Sequence, residues 1–437
     1  MTVLVIGSGG REHALVRRLA RATGISVTCV PGNAGIARDA RVLPVDAGHP
    51  DALLSLVRDE GFDLTVVGPE LPLDRGIVDR FREGGYRIFG PTRAAAQLEC
   101  SKAFAKAFMS RHGIPTARYR VCDSASDALG VIERGELGLP VVIKADGLAA
   151  GKGVVVASDR REAVDAVRSA MEERRFGSAG ARIVIEECLS GPEVSYFAVC
   201  DGRIAVPLGS AQDHKRIFDD DRGPNTGGMG AFAPSPLMDA ELEARVKREI
   251  VEPVMRGMHA EGHEYRGFLY VGLMLTCDGP KVIEFNVRFG DPEAQVVLPL
   301  VEGDLASWLA AAADAALPDT PIALSRDVAV GVVLASAGYP GPVSPGVPID
   351  GVEEAEAIAG VDVFHAGTAM SDGRLVTAGG RVLTVVGRGV TFDAAIARAY
   401  AGVSKISFEG MQYRRDIGRK AIAASRSGAA LPSQSAV

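Results

Sequence analysis

The sequence predicts a multidomain protein of mixed α/β and α+β class, and three observations carry that prediction. The first hundred residues alternate apolar strand runs with helical periodicity, the pattern of a doubly wound sheet. At 437 residues the chain exceeds what one hydrophobic core normally supports, so two to four domains are expected. From about residue 324 the strand and helix pattern restarts on the scale of a small α+β unit.

Composition narrows the function class. Hydrophobic residues make up 47% and charged residues 24%, as in ordinary soluble proteins, and 52 glycines point to many tight turns or ligand loops. A net charge of −7 argues against a nucleic-acid partner while leaving room for a local basic pocket. The six cysteines are scattered without a C-x-x-C pair, which suits free thiols in a reducing compartment. The chain opens directly on VLVIG without a signal-peptide pattern, and Asp314 interrupts the best apolar run, at 305–317. A cytoplasmic enzyme or binding protein, without membrane partner, is expected.

In chain order, residues 3–6 read as a buried parallel strand, 11–22 as a helix, 26–30 as a second strand and 64–67 as a later one. In such sheets ligands gather at the strand carboxyl ends. The loop Gly7-Ser8-Gly9-Gly10-Arg11-Glu12 approaches a dinucleotide fingerprint but has Glu at its third glycine position. After the second strand, Pro31-Gly32-Asn33-Ala34-Gly35 stands where an acidic ribose ligand belongs, so NAD binding is disfavoured. With Gly68-Pro69-Glu70 these loops form either one small-molecule site, such as for a sugar phosphate, or simply tight turns. Ser101 suits the N-cap of a helix that sends Phe104 and Phe108 to the core.

Residues 141–144 and 154–157 read as strands flanking a glycine-rich loop at 146–153. The loop lacks Walker spacing, because Val154 replaces the hydroxyl; a hairpin folding over phosphates fits better. Lys144 and Lys152 could neutralise phosphate charge or merely reach for water. A strand at 183–187 leads into an extended edge, 188–193, whose backbone can read an adenine and whose Glu193 can accept ribose hydroxyls. Asp213-His214-Lys215-Arg216 and the glycines 227, 228 and 230 make either an anion loop or a solvated one. His259 and His263 lack the zincin glutamate and read as a surface helix end.

The central stretch is 281–293, KVIEFNVRFGDPE. Strand alternation puts Glu284, Asn286 and Arg288 on one face and Ile283, Phe285 and Val287 on the other. Glu-x-Asn alone fits a wet edge strand; with its neighbours it suits a hard cation that shares oxygen ligands with phosphate and water. Arg288 could hold an anionic substrate, Asp291 suits a helix N-cap and Pro292 the first helical position. Beyond it, strands are expected at 328–335, 361–364 and 382–386, with a Gly379-Gly380 turn and a helix at 392–404. Residues 425–437 are rich in Ser, Ala and Pro and are expected to be disordered.

In order, VLVIGSGGREHAL, PGNAG, VVGPELPL, QLECSKAF, VVIKADGLAAGKGV, IVIEECLSGPE, QDHKR, GPNTGGMGAF, VIEFNVRFGDPE, FHAGT and GGRVL span nearly the whole chain. In these stretches the sequence closely resembles the phosphoribosylamine–glycine ligase family of the ATP-grasp superfamily. The resemblance implies a Rossmann-like N-terminal domain at 1–100, an ATP-grasp body at 101–118 and 188–323, a mobile lid at 119–187 and a C-terminal α+β domain at 324–424. It implies ligation of glycine to 5-phosphoribosylamine in purine synthesis, with ATP as co-substrate and Mg²⁺ or Mn²⁺ as cofactor, by a monomer.

By the same resemblance Lys102 and Lys144 contact ATP phosphates, covered by the loop of Gly147, Gly151, Lys152 and Gly153. Glu186, Glu187 and Leu189 read adenine, Glu193 holds ribose, and Glu284 with Asn286 binds the metal. Gly9, Gly10, Arg11, Glu12, Asn33, Gly68, Pro69 and Glu70 are placed for phosphoribosylamine. Asp213, Lys215, Arg288, Gly290 and Asp291 line the glycine and acyl-phosphate region, Lys215 serving the nucleotide too. Arg288, Lys144 and Asp213 are the expected catalytic residues. The chain departs from the family at Cys100, where a small glycine is usual, and at Val287, where cysteine is common. No metal-binding carboxylate lies at 268–275, where many ATP-grasp enzymes carry one.

Overall fold

A computed structural model describes residues 1–148 and 153–426. The N-terminal segment forms a five-stranded parallel sheet in the order Arg41–Val42, Ser26–Pro31, Thr2–Gly7, Leu64–Val67, Ile88–Phe89. Parallel strands are covered on both faces. Accordingly Val3, Leu4, Val5 and Ile6 are all fully buried. The helix Gly10–Ala20 starts where Glu12 reaches back to accept the Gly9 N–H at 2.6 Å.

A four-stranded antiparallel sheet follows, ordered Tyr119–Cys122, Ile183–Glu187, Val141–Ala145, Val154–Ala157. Ile143, Ile185 and Val155 pack one face against the helices Ala125–Arg134 and Arg160–Val167 through Ala128, Val131, Ala163 and Val167, a small core of its own. Because side chains alternate, Val142, Lys144, Val156 and Glu186 share the opposite face.

The largest sheet has eight strands, Gly279–Asn286, Arg266–Thr276, Glu193–Asp201, Ala205–Asp213, Gly230–Ala233, Val328–Ala335, Arg381–Gly389 and Val361–His365. It runs without a break across residue 324. Apolar packing is equally continuous: Leu15 of the helix Gly10–Ala20 and Phe89 of the first sheet share a cluster with Phe197, Phe268 and Phe289, and Phe364 and Val386 join it from the C-terminal side.

Three local expectations are corrected. Gly272 pairs with Glu284 but Leu273 pairs with Val282, so Ile283 is the extra residue of a β-bulge and does not share the face of Phe285 and Val287. A bulge bends its strand and re-aims the side chains beyond it. Here its carbonyl accepts from Lys144 Nζ at 3.1 Å. The helix after Gly290 starts at Glu293, leaving Pro292 at the cap, so Asp291 neither caps it nor precedes a first-turn proline. The helix Arg419–Arg426 carries regular structure two residues into the segment expected to be disordered; 427–437 lie outside the described residues. Among the described residues no helix is long and apolar enough to cross a membrane.

Candidate active site

Three ammonium groups gather around one carboxylate where the small sheet meets the bulged strand. Ser101 caps the helix Lys102–Arg111, accepting the Phe104 N–H at 3.0 Å and donating to Asp146 at 3.0 Å. That cap fixes Lys102, whose Nζ donates to the Gly147 carbonyl at 3.1 Å. Gly147 has φ +147°, and a Cβ there would lie 2.8 Å from Ala179 Cβ, so the turn requires glycine. Lys144 comes from the four-stranded sheet, and its Nζ also lies 3.0 Å from Glu186 Oε1. Lys215 stands just beyond the strand Ala205–Asp213 and pairs with Glu193 at 2.7 Å.

The Glu284 carboxylate receives no hydrogen bond or ion pair from the described residues, and neither does the side-chain amide of Asn286. Burial works against its charge, but Lys215, Lys144 and Lys102 prevail and hold the carboxyl below its ordinary range. Burial, with Lys144, lowers Lys102 despite Glu284. Burial opposes the Lys215 ammonium, yet Asp213, Glu193 and Glu284 keep it well above its usual value. An ionised carboxylate and an amide oxygen, unspent on protein donors, fit a hard divalent cation that takes its remaining ligands from phosphate and water. Among the described residues no group of three or more His, Cys, Asp or Glu could hold a metal. Burial, reinforced by Glu293, Glu193 and Glu284 and opposed by Lys215, pushes Asp213 up to about 7.

A second charged group lies beside the N-terminal loops. Arg288 lies 2.7 Å from Glu99 and 3.3 Å from Glu70, and Glu70 is 3.9 Å from Arg11. Arg11 pairs with Glu12 and donates to the Phe289 carbonyl at 3.2 Å. Burial disfavours ionising Glu70, but Arg288 and Arg11 outweigh it and lower its carboxyl to about 2. Arg288, expected to hold an anionic substrate, is thus neutralised by two carboxylates. Gly68 makes room for one of the neighbours: a Cβ there would fall 2.4 Å from Glu12 Oε1.

The remaining expected residues divide by what their side chains already do. Asn33 is fully engaged, its Nδ2 donating to the Ser8 and His365 carbonyls at 2.7 and 2.8 Å and its Oδ1 accepting from Gly35 and Ile36 at 2.9 Å each. The carboxylate of Glu187 accepts from Arg118, at 2.9 Å from its backbone and 2.6 Å from Nε. Leu189 is half-buried in the connector after the strand Ile183–Glu187, and Pro69 caps the short helix Glu70–Asp74. Gly10 faces Gln295 and Ala366, and Gly9 lies over Glu12. A Cβ on Gly290 would meet Glu293, while Asp291 is held by Arg381 at 2.8 Å and by Gln295 at 2.7 Å. Gly153 accepts the Ala145 N–H at 2.8 Å; Gly151 and Lys152 lie outside the described residues.

Four neighbours are not foreseen from the sequence. Glu99 accepts the Val287 N–H at 2.7 Å besides pairing with Arg288. Lys106 is buried against Glu186 at 2.8 Å and lowered to about 8 by burial, despite Glu186. Glu293 accepts from Tyr270 at 3.0 Å, and Arg381 brings the C-terminal strand to Asp291. The Lys102/Lys106 spacing of one helical turn is a signal that could have exposed Lys106; the others depend on tertiary contacts.

A small antiparallel sheet facing a larger one across paired lysines and an unspent carboxylate is the arrangement of an ATP-grasp enzyme. The phosphoribosylglycinamide synthetase models match in three parts: the N domain at 1–99, the ATP-grasp (A) domain at 100–294 and the C domain at 329–420. A phosphoribosylamine–glycine ligase of Ralstonia nicotianae is 51% identical over 426 residues, covering 97% of this chain and 100% of that one. That of Pseudomonas aeruginosa is 49% identical over 430 residues, covering 98% and 99%. The crystal structure of the ligase from Thermotoga maritima superposes with a TM-score of 0.85 at 36% identity, over 95% of this chain and 100% of that one. A biotin carboxylase domain of Hydrogenobacter thermophilus, 18% identical with a TM-score of 0.74, shares the fold. The chain belongs to the phosphoribosylglycinamide synthetase family and is an ATP-dependent carbon–nitrogen ligase.

Proposed function

We propose that the chain joins glycine to 5-phosphoribosylamine through a glycyl phosphate, giving glycinamide ribonucleotide, ADP and phosphate in purine synthesis. A carboxylate is a poor electrophile because oxide would have to leave. Glycine's carboxylate oxygen therefore attacks the terminal phosphorus of ATP, the bond to ADP breaks, and the acyl phosphate gains a competent leaving group. The amine nitrogen of the second substrate then attacks the glycyl carbon, phosphate departs, and the nitrogen sheds a proton. Asp213, raised to about 7 by burial and neighbouring carboxylates, is suited to take that proton.

Lys102, Lys144 and, in the loop, Lys152 hold the phosphates and offset the charge that develops on them. The half-exposed valines Val142 and Val154 on the lid's inner face, with the connector through Leu189, suit an adenine, and Glu193 its ribose. A divalent cation, magnesium or manganese, on Glu284 and Asn286 would neutralise phosphate charge. The N-terminal loops with Arg11 and Glu70 take the sugar phosphate, and closure of 119–187 keeps water from the acyl phosphate.

The observation that carries this reading is the convergence of Lys102, Lys144 and Lys215 on a Glu284 that no described protein group neutralises directly. Phosphate release measured with ATP, glycine and the amine omitted in turn tests it: release should require all three. Release driven by bicarbonate without glycine would overturn it in favour of carboxylase chemistry on the shared fold.

A further inference from the structure

At the far side of the N-terminal sheet from these loops lies a cleft of about 490 Å³, lined by Phe62, Arg82, Tyr86 and Arg87 on one wall and Arg266 and Asp314 on the other. Arg87 directly precedes the strand Ile88–Phe89, and Phe62 and Asp63 precede Leu64–Val67. The cleft therefore opens at the amino ends of strands whose carboxyl ends carry Gly68 and the candidate active site. It is a separate place, and its fate is independent of the reaction proposed above.

Its charges are unevenly spent. Arg87 pairs with Asp314 at 2.8 Å, Arg266 with Glu264 at 2.8 Å, and Asp63 accepts from the Thr2 N–H at 2.6 Å. Arg82 forms no side-chain hydrogen bond or ion pair among the described residues although it is half-buried, and its Nη2 is shut from solvent without a partner. Arg266 Nε is orphaned in the same way. Burial and the neighbouring Arg266 act against the charge on Arg82 and outweigh Asp79 and Glu264, which favour it without touching the side chain. Withdrawing a guanidinium from water without an acceptor is costly, and a fork of N–H donors matches a phosphate or carboxylate. Half-buried Phe62 and Tyr86 add apolar wall in a cleft of ligand size.

We propose that this cleft is a second anion-binding site, which takes the phosphate group of a small phosphate monoester on Arg82 beside Arg266, with its organic part against Tyr86 and Phe62. Bound there, the ligand adds a polar bridge between the N-terminal sheet and the strand Arg266–Thr276, which already meet through the rings of Phe89 and Phe268 at 4.9 Å.

Calorimetric titration of the full chain with inorganic phosphate and with phenyl phosphate, its active site filled with a non-hydrolysable ATP analogue, Mg²⁺ and glycine, tests this. Wild type should bind phenyl phosphate more tightly than inorganic phosphate, and Arg82→Gln should weaken both at least tenfold while turnover stays within twofold. Arg82→Lys keeps the charge and stem, covers any folding loss in the glutamine variant, and should bind several-fold more weakly than wild type because the fork is gone. Equal binding by wild type and these variants, or phenyl phosphate seen only among the active-site loops in a crystal, overturns the proposal.

Discussion

Glu284 and Arg288 lie four positions apart and face opposite circumstances. Glu284 is ionised without a direct partner, so its removal costs little packing, but three ammonium groups lose their common counter-charge. Glu284→Ala should lower turnover by about a thousandfold or more, with a melting temperature close to wild type; retained phosphate release would remove it from the metal site. Arg288 is the reverse, because Glu99 and Glu70 are half or fully buried against it. Burial already raises the Glu99 carboxyl, with Arg288 the main counterweight. Arg288→Met should destabilise by about 3–5 kcal/mol, the cost of stranding a buried charge. Urea unfolding reads that loss; lost activity at unchanged stability would instead mean that the guanidinium serves substrate alone.

At the scale of elements, the helix Lys102–Arg111 and the bulged strand Gly279–Asn286 aim the chemistry. Ser101 joins the helix start to Asp146, at the head of the glycine loop. Ser101→Ala should cost about 1 kcal/mol through the lost cap, and should raise the KM for ATP because Lys102 and the loop lose their common anchor. A stability loss with unchanged KM would restrict the residue to capping. The bulge matters differently: one-residue shifts exchange the faces of a strand, so the extra Ile283 lets Val282 and Phe285 both enter the core while Glu284 and Asn286 face the lysines.

On the scale of the molecule, the N-terminal and C-terminal parts meet over buried histidines. His13 Nδ1 accepts the His365 N–H at 2.7 Å, so Nε2 carries the proton toward Asp39 at 2.9 Å. Arg17 extends the contact to Asp39 and Glu356. Burial lowers His13 to about 4, with Arg17 adding and Asp39 opposing, and burial lowers His365 to about 3, with His13 adding. A depressed folded value means that the unfolded chain binds the proton first. Their contribution is therefore full above about pH 6.5 and lost as pH falls toward 4, at up to about 1.4 kcal/mol per pH unit for each. Urea unfolding between pH 7 and 4 should show that decline, and His13→Gln should make it shallower; an unchanged slope would show that His13 takes up its proton alike in the folded and unfolded states.

What repeats locally, or is carried by residue identity, could be read from the chain alone. Strand alternation, the Ser101 cap and the glycine loops were legible because each depends on neighbours within a few positions, and the ordered stretches from GSGGREHAL to GGRVL identified the family. The Ile283 bulge and the start of the short helix at Glu293 were not, since both arise from pairing with Gly272 and from Asp291 turning to Arg381. That Arg288 answers to Glu99, that Lys106 backs Glu186, and that one sheet runs from the site into the C-terminal part emerged with the folded chain. Those pairings join residues far apart in the chain, where burial and charge compensation rather than local preference select the partner.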